Sequence, residues 1–550
     1  MKRDLNRFKN TEFDILIIGG GVSGASIAWD AALRGYKTAL IERKDFGHGT
    51  SSSTSKLIHG GLRYLAQFDI PVVRESLQER RLLEKNMPHL AFPLPFLLPI
   101  YKWQPMPRWM LWAGLTIYDI LSYDKNYLDD PDKHLPNKKW ISAKEALSLE
   151  PKLDQNGLRG AFLYYDVLNK HPHRSNLEYV LSAENKGAAV ANYVSCENFL
   201  YAEKDGQKKV SGVQAKDLLT GNTFDIKSYV TVNATGPWGD LVLSKLNQKP
   251  VRQITRSKGI HILLPRVHKN TTITYETRDK KHFFIIPWLK YTLIGTTDTP
   301  FEGHPDDLRV TRKDAQDLLD LTNEYYPTGC QYSDIRHAYA GIRPLVAGSE
   351  DKNTYKASRK HEIVLHRKED QIDGLVSVFG GKWTTSRSLA QDTVDLIEKN
   401  FKFRKIESQT ANTPVTGGLV GDRLSDFIRD MQANFEGRIP ESTLNHLLGS
   451  YGVNFLKVAE IAWADAKRFD TLGPHIEHLS AEVVYAVQEE MAENLSDVLL
   501  RRIGLGNEGI PSQSVLEKIA DIMGNLKGWD TSRKKSEIEE YIASQKIVDA

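Results

Sequence analysis

The chain has 550 residues, 40% of them hydrophobic and 26% charged, which is more than one ordinary core holds and implies two or three domains. A net charge of +3 gives no case for a nucleic-acid partner. The two cysteines, Cys196 and Cys330, are far apart and outside any CxxC pattern, so neither a disulfide framework nor a metal site is expected, and a reducing compartment fits.

The first residues are charged and have no apolar run of signal-peptide length. Residues 13 to 18, FDILII, read as a buried parallel strand. Gly19, Gly20 and Gly21 follow, then a helix from about Val22 to Arg34, with Gly35 fitting its C-terminal cap. A second strand, Thr38 to Ile41, ends at Glu42. Gly19, Gly21 and Gly24 make G-x-G-x-x-G. The first glycine permits a tight turn, the second lets backbone approach a pyrophosphate, and the third lets helix and strand pack closely. The free N–H groups and positive dipole of the helix start favour phosphate. Glu42 stands near the offset of a carboxylate that accepts from ribose hydroxyls, which argues against a 2′-phosphate.

Phe46 to Ser55 is a Gly/Ser/Thr-rich loop, and 72 to 86 a charged helix. Between Lys85 and Lys102 formal charges are absent, but four prolines interrupt a stretch shorter than the ~20 residues of a spanning helix. Residues 92 to 122 are rich in proline, tryptophan and leucine. Strands and helices alternate from about 158 to 235. KGIHILL, HFFIIPW and YTLIGTTD read as strands between 250 and 300. Residues 371 to 398 return to strand, glycine turn and helix, with Gly381, Lys382 and Thr384 starting that helix. This second glycine turn suits a large cofactor whose far end reaches another helix, and so favours FAD over NAD. Residues 402 to 420 read as a polar linker, and everything after has helical spacing.

SSSTSKLIHGGLRYL at 51 to 65, with GGGVSGASIAWDAALRGYKTALIE, VNATGPW, KGIHI, TLIGTTD, AGIRPL and GGKWTT, resembles the FAD-dependent, quinone-linked glycerol-3-phosphate dehydrogenases of the glycine/D-amino-acid oxidase group. The helical tail with ENLSDVLLRRIGLG resembles that family's C-terminal domain. The resemblance implies an α/β and α+β chain in three parts. These are a discontinuous Rossmann-like FAD domain (1–76, 151–238, 345–400), a β-rich substrate domain (77–150, 239–344) and a helical C-terminal domain (401–550). It implies oxidation of sn-glycerol 3-phosphate to dihydroxyacetone phosphate, with electrons going to a membrane quinone. An oxidase using dioxygen, and a flavin-binding protein without turnover, are the alternatives.

A phosphate dianion needs fixed cations, and Arg63, Arg343 and Lys382 fall inside these motifs. His261 is the first candidate for the proton acceptor, with His59 second, and Tyr64 is a substrate or flavin contact. The resemblance implies further cofactor contacts from Ser51, Ser52, Ser55, His59, Gly60, Val194, Gly236 and Trp238, and from Gly381, Lys382 and Thr384 toward the reduced flavin. Two positions depart from the family pattern: Ser386 precedes Arg387 where an aromatic is usual, and PHR stands at 172 to 174. Tyr101, Trp103, Trp109, Trp112 and Tyr118, beside Lys102 and Arg108, suit a monotopic surface on the cytoplasmic face of the inner membrane. Oligomeric state stays open, a homodimer included.

Overall fold

The computed structural model describes residues 1–65, 67–104, 106–204, 207–246, 254–278, 281–346 and 361–549, with the side chains of Arg63, Lys204, Gln207 and Val346 outside that description. Its central element is the strand Glu12–Ile18, whose Ile15, Leu16 and Ile17 are fully buried. Parallel neighbours are Thr38–Ile41 on one side, with Ile17 opposite Leu40, and Thr223–Asn233 on the other, with Ile17 opposite Val232. Ala189–Ala191 extends one edge. Leu375–Phe379 and Glu362–Leu365 extend the other. A β-branched run buried on both faces is what a parallel sheet between helices requires. The helix Val22–Leu33 supplies one cover and packs against Pro172–Asn185 and Ser386–Phe401.

A second, largely antiparallel sheet runs in the order Thr299–Pro300, Ile254–Pro265, Tyr291–Gly295, His282–Trp288, Thr272–Glu276, Ala91–Tyr101, Leu158–Asn169 and Leu57–Ile58. His337–Val346 also pairs along Ile254–Pro265, placing His261 opposite Tyr339 and Ser257 opposite Arg343. The segment boundaries drawn at 76 and 151 do not follow the sheets, since Leu57–Ile58 and Leu158–Asn169 both hydrogen-bond in this second one.

The reading of 402 to 420 as a linker is corrected. Arg34 Nη1 donates to Ile406 O at 2.8 Å, Asn86 Nδ2 to Thr410 O at 2.9 Å, and Gly417 N to buried Glu178 at 2.8 Å. Its polar residues serve as partners for buried donors and acceptors. Helices then succeed one another from Leu424 to Gln545. They are joined to the parallel-sheet region through buried ion pairs, Arg174 with Glu490 at 2.7 Å and Arg502 with Asp45 at 2.7 Å. Among the described residues no helix is long and apolar enough to cross a membrane.

Candidate functional site

The glycine turn has the local geometry its spacing implies. Gly19 has φ +109°, and a Cβ there would meet Ala234 O at 2.6 Å. A Cβ on Gly24 would lie 1.8 Å from Gly19 O, so only glycine lets helix and strand approach this closely. Gly21 is the N-cap and carries no side chain to cap the helix. Ser51 Oγ accepts from Val22 N at 2.8 Å, bringing the serine-rich loop onto the helix start.

Glu42 accepts from Gly20 N at 2.7 Å and from Lys44 N at 2.8 Å, one bond to each oxygen. It therefore holds the turn and keeps a lone pair on each oxygen for another donor. Burial pushes its carboxyl above the ordinary range, and the two N–H groups oppose that rise. Val194 N donates to Glu42 O at 2.8 Å and opens a hairpin beside it.

One cleft of about 1420 Å³ joins this turn to the second sheet. It exceeds the ~300–1,000 Å³ of small-ligand sites and has room for an extended cofactor with a substrate. Gly19, Gly21, Glu42, Ser51, Ser55, His59, Tyr64, Val194, Gly236, Trp238, His261, Arg343, Gly381, Lys382 and Thr384 all line it. Trp238 Nε1 is buried with no hydrogen-bond partner among the described residues, and Gly236, at φ +53°, leaves open space where a Cβ would stand. An unmet donor, side-chain-free walls and a helix start whose N-cap residue is glycine are what a bound dinucleotide needs.

Ser52 and Gly60 stand away from the cleft, and the late helix starts further on than expected. Ser52 does not line the cleft; its Oγ donates to Gly47 O at 2.7 Å and ties the loop to itself. Gly60 is a packing glycine, with N–H donated to Tyr118 Oη at 2.9 Å and Leu77 2.5 Å from where a Cβ would be. Gly381, Lys382 and Thr384 form the turn before a helix that starts at Ser386. Arg387 then pairs bidentately with Glu79 at 2.8 and 2.6 Å, which fixes the helix without the aromatic that usually precedes it. In the PHR departure, Arg174 makes the buried pair with Glu490.

At the second sheet, His261 stacks on Tyr339 with centroids 5.0 Å apart, and its Nε2 lies 2.9 Å from Ser55 Oγ. It fits because Gly295 faces it; a Cβ there would be 2.2 Å from the ring. Burial, then the cations Arg343 and Lys56, hold the imidazole well below its usual pKa, so it is neutral. Arg343 donates to Thr297 O at 3.0 Å and to Thr296 Oγ1 at 2.8 Å, beside Gly259. Lys382 Nζ donates to Ser76 Oγ at 2.6 Å and sits 4.3 Å over the Tyr64 ring. The Arg63 side chain lies outside the described residues.

Sequence reasoning gave Lys56 no role of its own. Its side chain is buried, with Nζ 4.4 Å over Trp288 and 5.1 Å over Tyr339, and burial pushes its pKa down to about 7. The only signal was its place directly after Ser55.

Residues 14–396 match a family described as FAD dependent oxidoreductase, and residues 408–534 match the C-terminal domain of alpha-glycerophosphate oxidase. The mitochondrial glycerol-3-phosphate dehydrogenase of Bos taurus is 35% identical over 96% of this chain and 73% of its own length. That of Synechocystis is 32% identical over 98% and 97%. The solved glycerol-3-phosphate dehydrogenase from Bacillus halodurans, complexed with FAD, superimposes with TM-score 0.78 at 27% identity, covering 98% of this chain and 96% of that one.

Proposed function

The chain belongs to the FAD-dependent oxidoreductase family that includes these glycerol-3-phosphate dehydrogenases, and on that premise we propose that it oxidises sn-glycerol 3-phosphate to dihydroxyacetone phosphate. The observation that carries this reading is the convergence of Arg343, Lys382, Tyr64 and His261 on the cleft that the glycine turn also enters. FAD, when bound, supplies the acceptor for the carbinol hydride.

Gly19, Gly21 and the helix start hold its pyrophosphate, Glu42 its ribose, and the Ser51–Ser55 and Gly381–Thr384 segments its ring end. Arg343 and Lys382 bind the substrate phosphate. Charge-assisted bonds of this kind are worth about 1.5–3 kcal/mol each. His261 receives the hydroxyl proton, its neutral state leaving one ring nitrogen unprotonated, and Ser55 holds the ring in place through Nε2. Dihydroxyacetone phosphate formed from glycerol 3-phosphate with a dye acceptor tests the reading. Equal turnover of glycerol, which lacks the phosphate, would count against it.

For the electron acceptor the reading is a membrane quinone, with the protein lying on the cytoplasmic face of the inner membrane. What supports it is an apolar surface at the cleft mouth. Phe68, Ile70, Met110 and Ile117 line the cleft and are exposed. Trp109 (66% exposed), Trp112 (53%) and Ile120 (63%) continue that surface along the helix Arg108–Leu121. Such a face suits an interfacial helix. Near-stoichiometric hydrogen peroxide in place of quinone reduction would instead identify an oxidase.

A further inference from the structure

The helical C-terminal region gathers three metal-competent side chains away from the cleft. His446 lies on the helix Glu441–Tyr451, Glu482 in the first turn of Ser480–Glu489, and His478 just before that turn. One ligand atom from each falls within 4.8 Å of the others. His446 Nε2 is 2.9 Å from Glu482 Oε2, and His478 Nδ1 is 3.2 Å from the same oxygen. The two rings stand 4.0 Å apart at 68°.

Hydrogen bonding alone accounts poorly for this arrangement. Tyr451 Oη also donates to Glu482 Oε2, at 2.9 Å, so three groups converge on one oxygen that offers two lone pairs. The other oxygen already accepts from Leu479 N at 2.7 Å. Both imidazoles are mostly enclosed, with side-chain exposures of 12% and 9%, and the carboxylate is fully buried. Lys170 is a nearby cation, itself facing Glu477 and Glu508. Tetrahedral zinc, at 2.0–2.1 Å from its nitrogen ligands, sets ligand atoms about 3.3 Å apart, close to the 2.9 and 3.2 Å between each histidine nitrogen and the carboxylate oxygen.

We propose that His446 Nε2, His478 Nδ1 and Glu482 Oε2 bind one zinc ion, with water in the fourth position on the side where His446 reaches solvent. Tyr451 and Leu479 N then orient the carboxylate as outer partners. The ion ties the helix Glu441–Tyr451 to Ser480–Glu489, close to where Tyr451 lies under Arg174 at 4.6 Å and Arg174 pairs with Glu490. None of the three ligands lines the cleft, so the ion takes no part in the flavin chemistry proposed there.

The test uses full-length, untagged, FAD-loaded protein. It is incubated with zinc sulfate, passed through gel filtration and analysed for metal by mass spectrometry. One zinc per chain is expected, with a zinc-dependent rise in Tm that a chelator reverses. His446→Gln and His478→Gln should each lose the zinc and the Tm response while keeping the flavin absorbance. Wild-type protein that emerges without zinc overturns the proposal, and this arm needs no variant to fold. Variants that keep full zinc overturn it too.

Discussion

Ser55 Oγ and His261 Nε2 lie 2.9 Å apart, joining the serine-rich loop to the sheet strand Ile254–Pro265. The pair matters because burial and the cations Arg343 and Lys56 hold His261 neutral. A base whose pKa is depressed stays available as pH falls through the usual imidazole range near 6.5. The rate of anaerobic flavin reduction should therefore be flat from pH 8 to about 6.5 and fall only below it. A rate already halved at the ordinary imidazole pKa contradicts this placement. His261→Ala should slow reduction by ~10²–10⁴-fold with substrate Kd little changed.

Arg343→Ala should weaken glycerol 3-phosphate binding by roughly 10- to 100-fold, the equivalent of one charge-assisted contact. Titration of the oxidised enzyme with a phosphate-bearing inhibitor reads this out. Because Arg343 also holds Thr296 and Thr297, Arg343→Lys should restore part of the affinity. Unchanged affinity in the alanine variant would remove the residue from the phosphate site.

Gly24→Ala places a methyl 1.8 Å from Gly19 O, a backbone atom that cannot rotate away. Overpacking of ~1–3 kcal/mol or more is expected at the strand–helix contact, and the turn that holds the pyrophosphate should open. Gel filtration should separate flavin from this variant. Full retention of FAD at wild-type Tm would show that the turn tolerates the change.

Asp45 sits beneath Arg501 and Arg502, with Nε of the first at 2.5 Å and Nη1 of the second at 2.7 Å. Their guanidinium groups hold its carboxyl below the usual carboxylate range, against the effect of burial. Asp45→Ala leaves two buried arginines without this partner and should cost ~3–5 kcal/mol. Urea unfolding is the measurement, and a midpoint equal to wild type would deny that this junction stabilises the chain.

Glu84 provides a pH test of stability. Burial pushes its carboxyl up to about 8, against Arg80 and Lys133. Neither oxygen has a hydrogen-bond partner among the described residues. From the unfolded value near 4.5 up to about 8, the folded protein keeps a proton that the unfolded chain has released. Stability therefore falls as pH rises through that window. Glu84→Gln abolishes the titration, so its Tm should gain on wild type between pH 5 and 8. A constant difference contradicts the raised carboxyl.

The strand, turn and helix from Phe13 to Leu33 were legible because their causes are local: a β-branched run, three spaced glycines and an acid closing the next strand. His261, Arg343 and Lys382 were singled out through motifs, and the antiparallel pairing of Ile254–Pro265 with His337–Val346 sets the first two on adjacent strands. Long-range packing was not legible. Gly60 looked like a cofactor glycine because sequence does not reveal that Tyr118 and Leu77 close over it. The 402–420 stretch looked free because its partners, Arg34, Asn86 and Glu178, lie far back in the chain. His478 and Glu482 stand four residues apart, but His446 comes from a separate helix far back in the chain, so the sequence shows no complete ligand set.

The most direct measurement is anaerobic addition of glycerol 3-phosphate to the purified yellow protein. Stoichiometric loss of the oxidised-flavin absorbance with formation of dihydroxyacetone phosphate is expected, and no such change with glycerol. A flavin that dithionite bleaches and glycerol 3-phosphate leaves oxidised would contradict it.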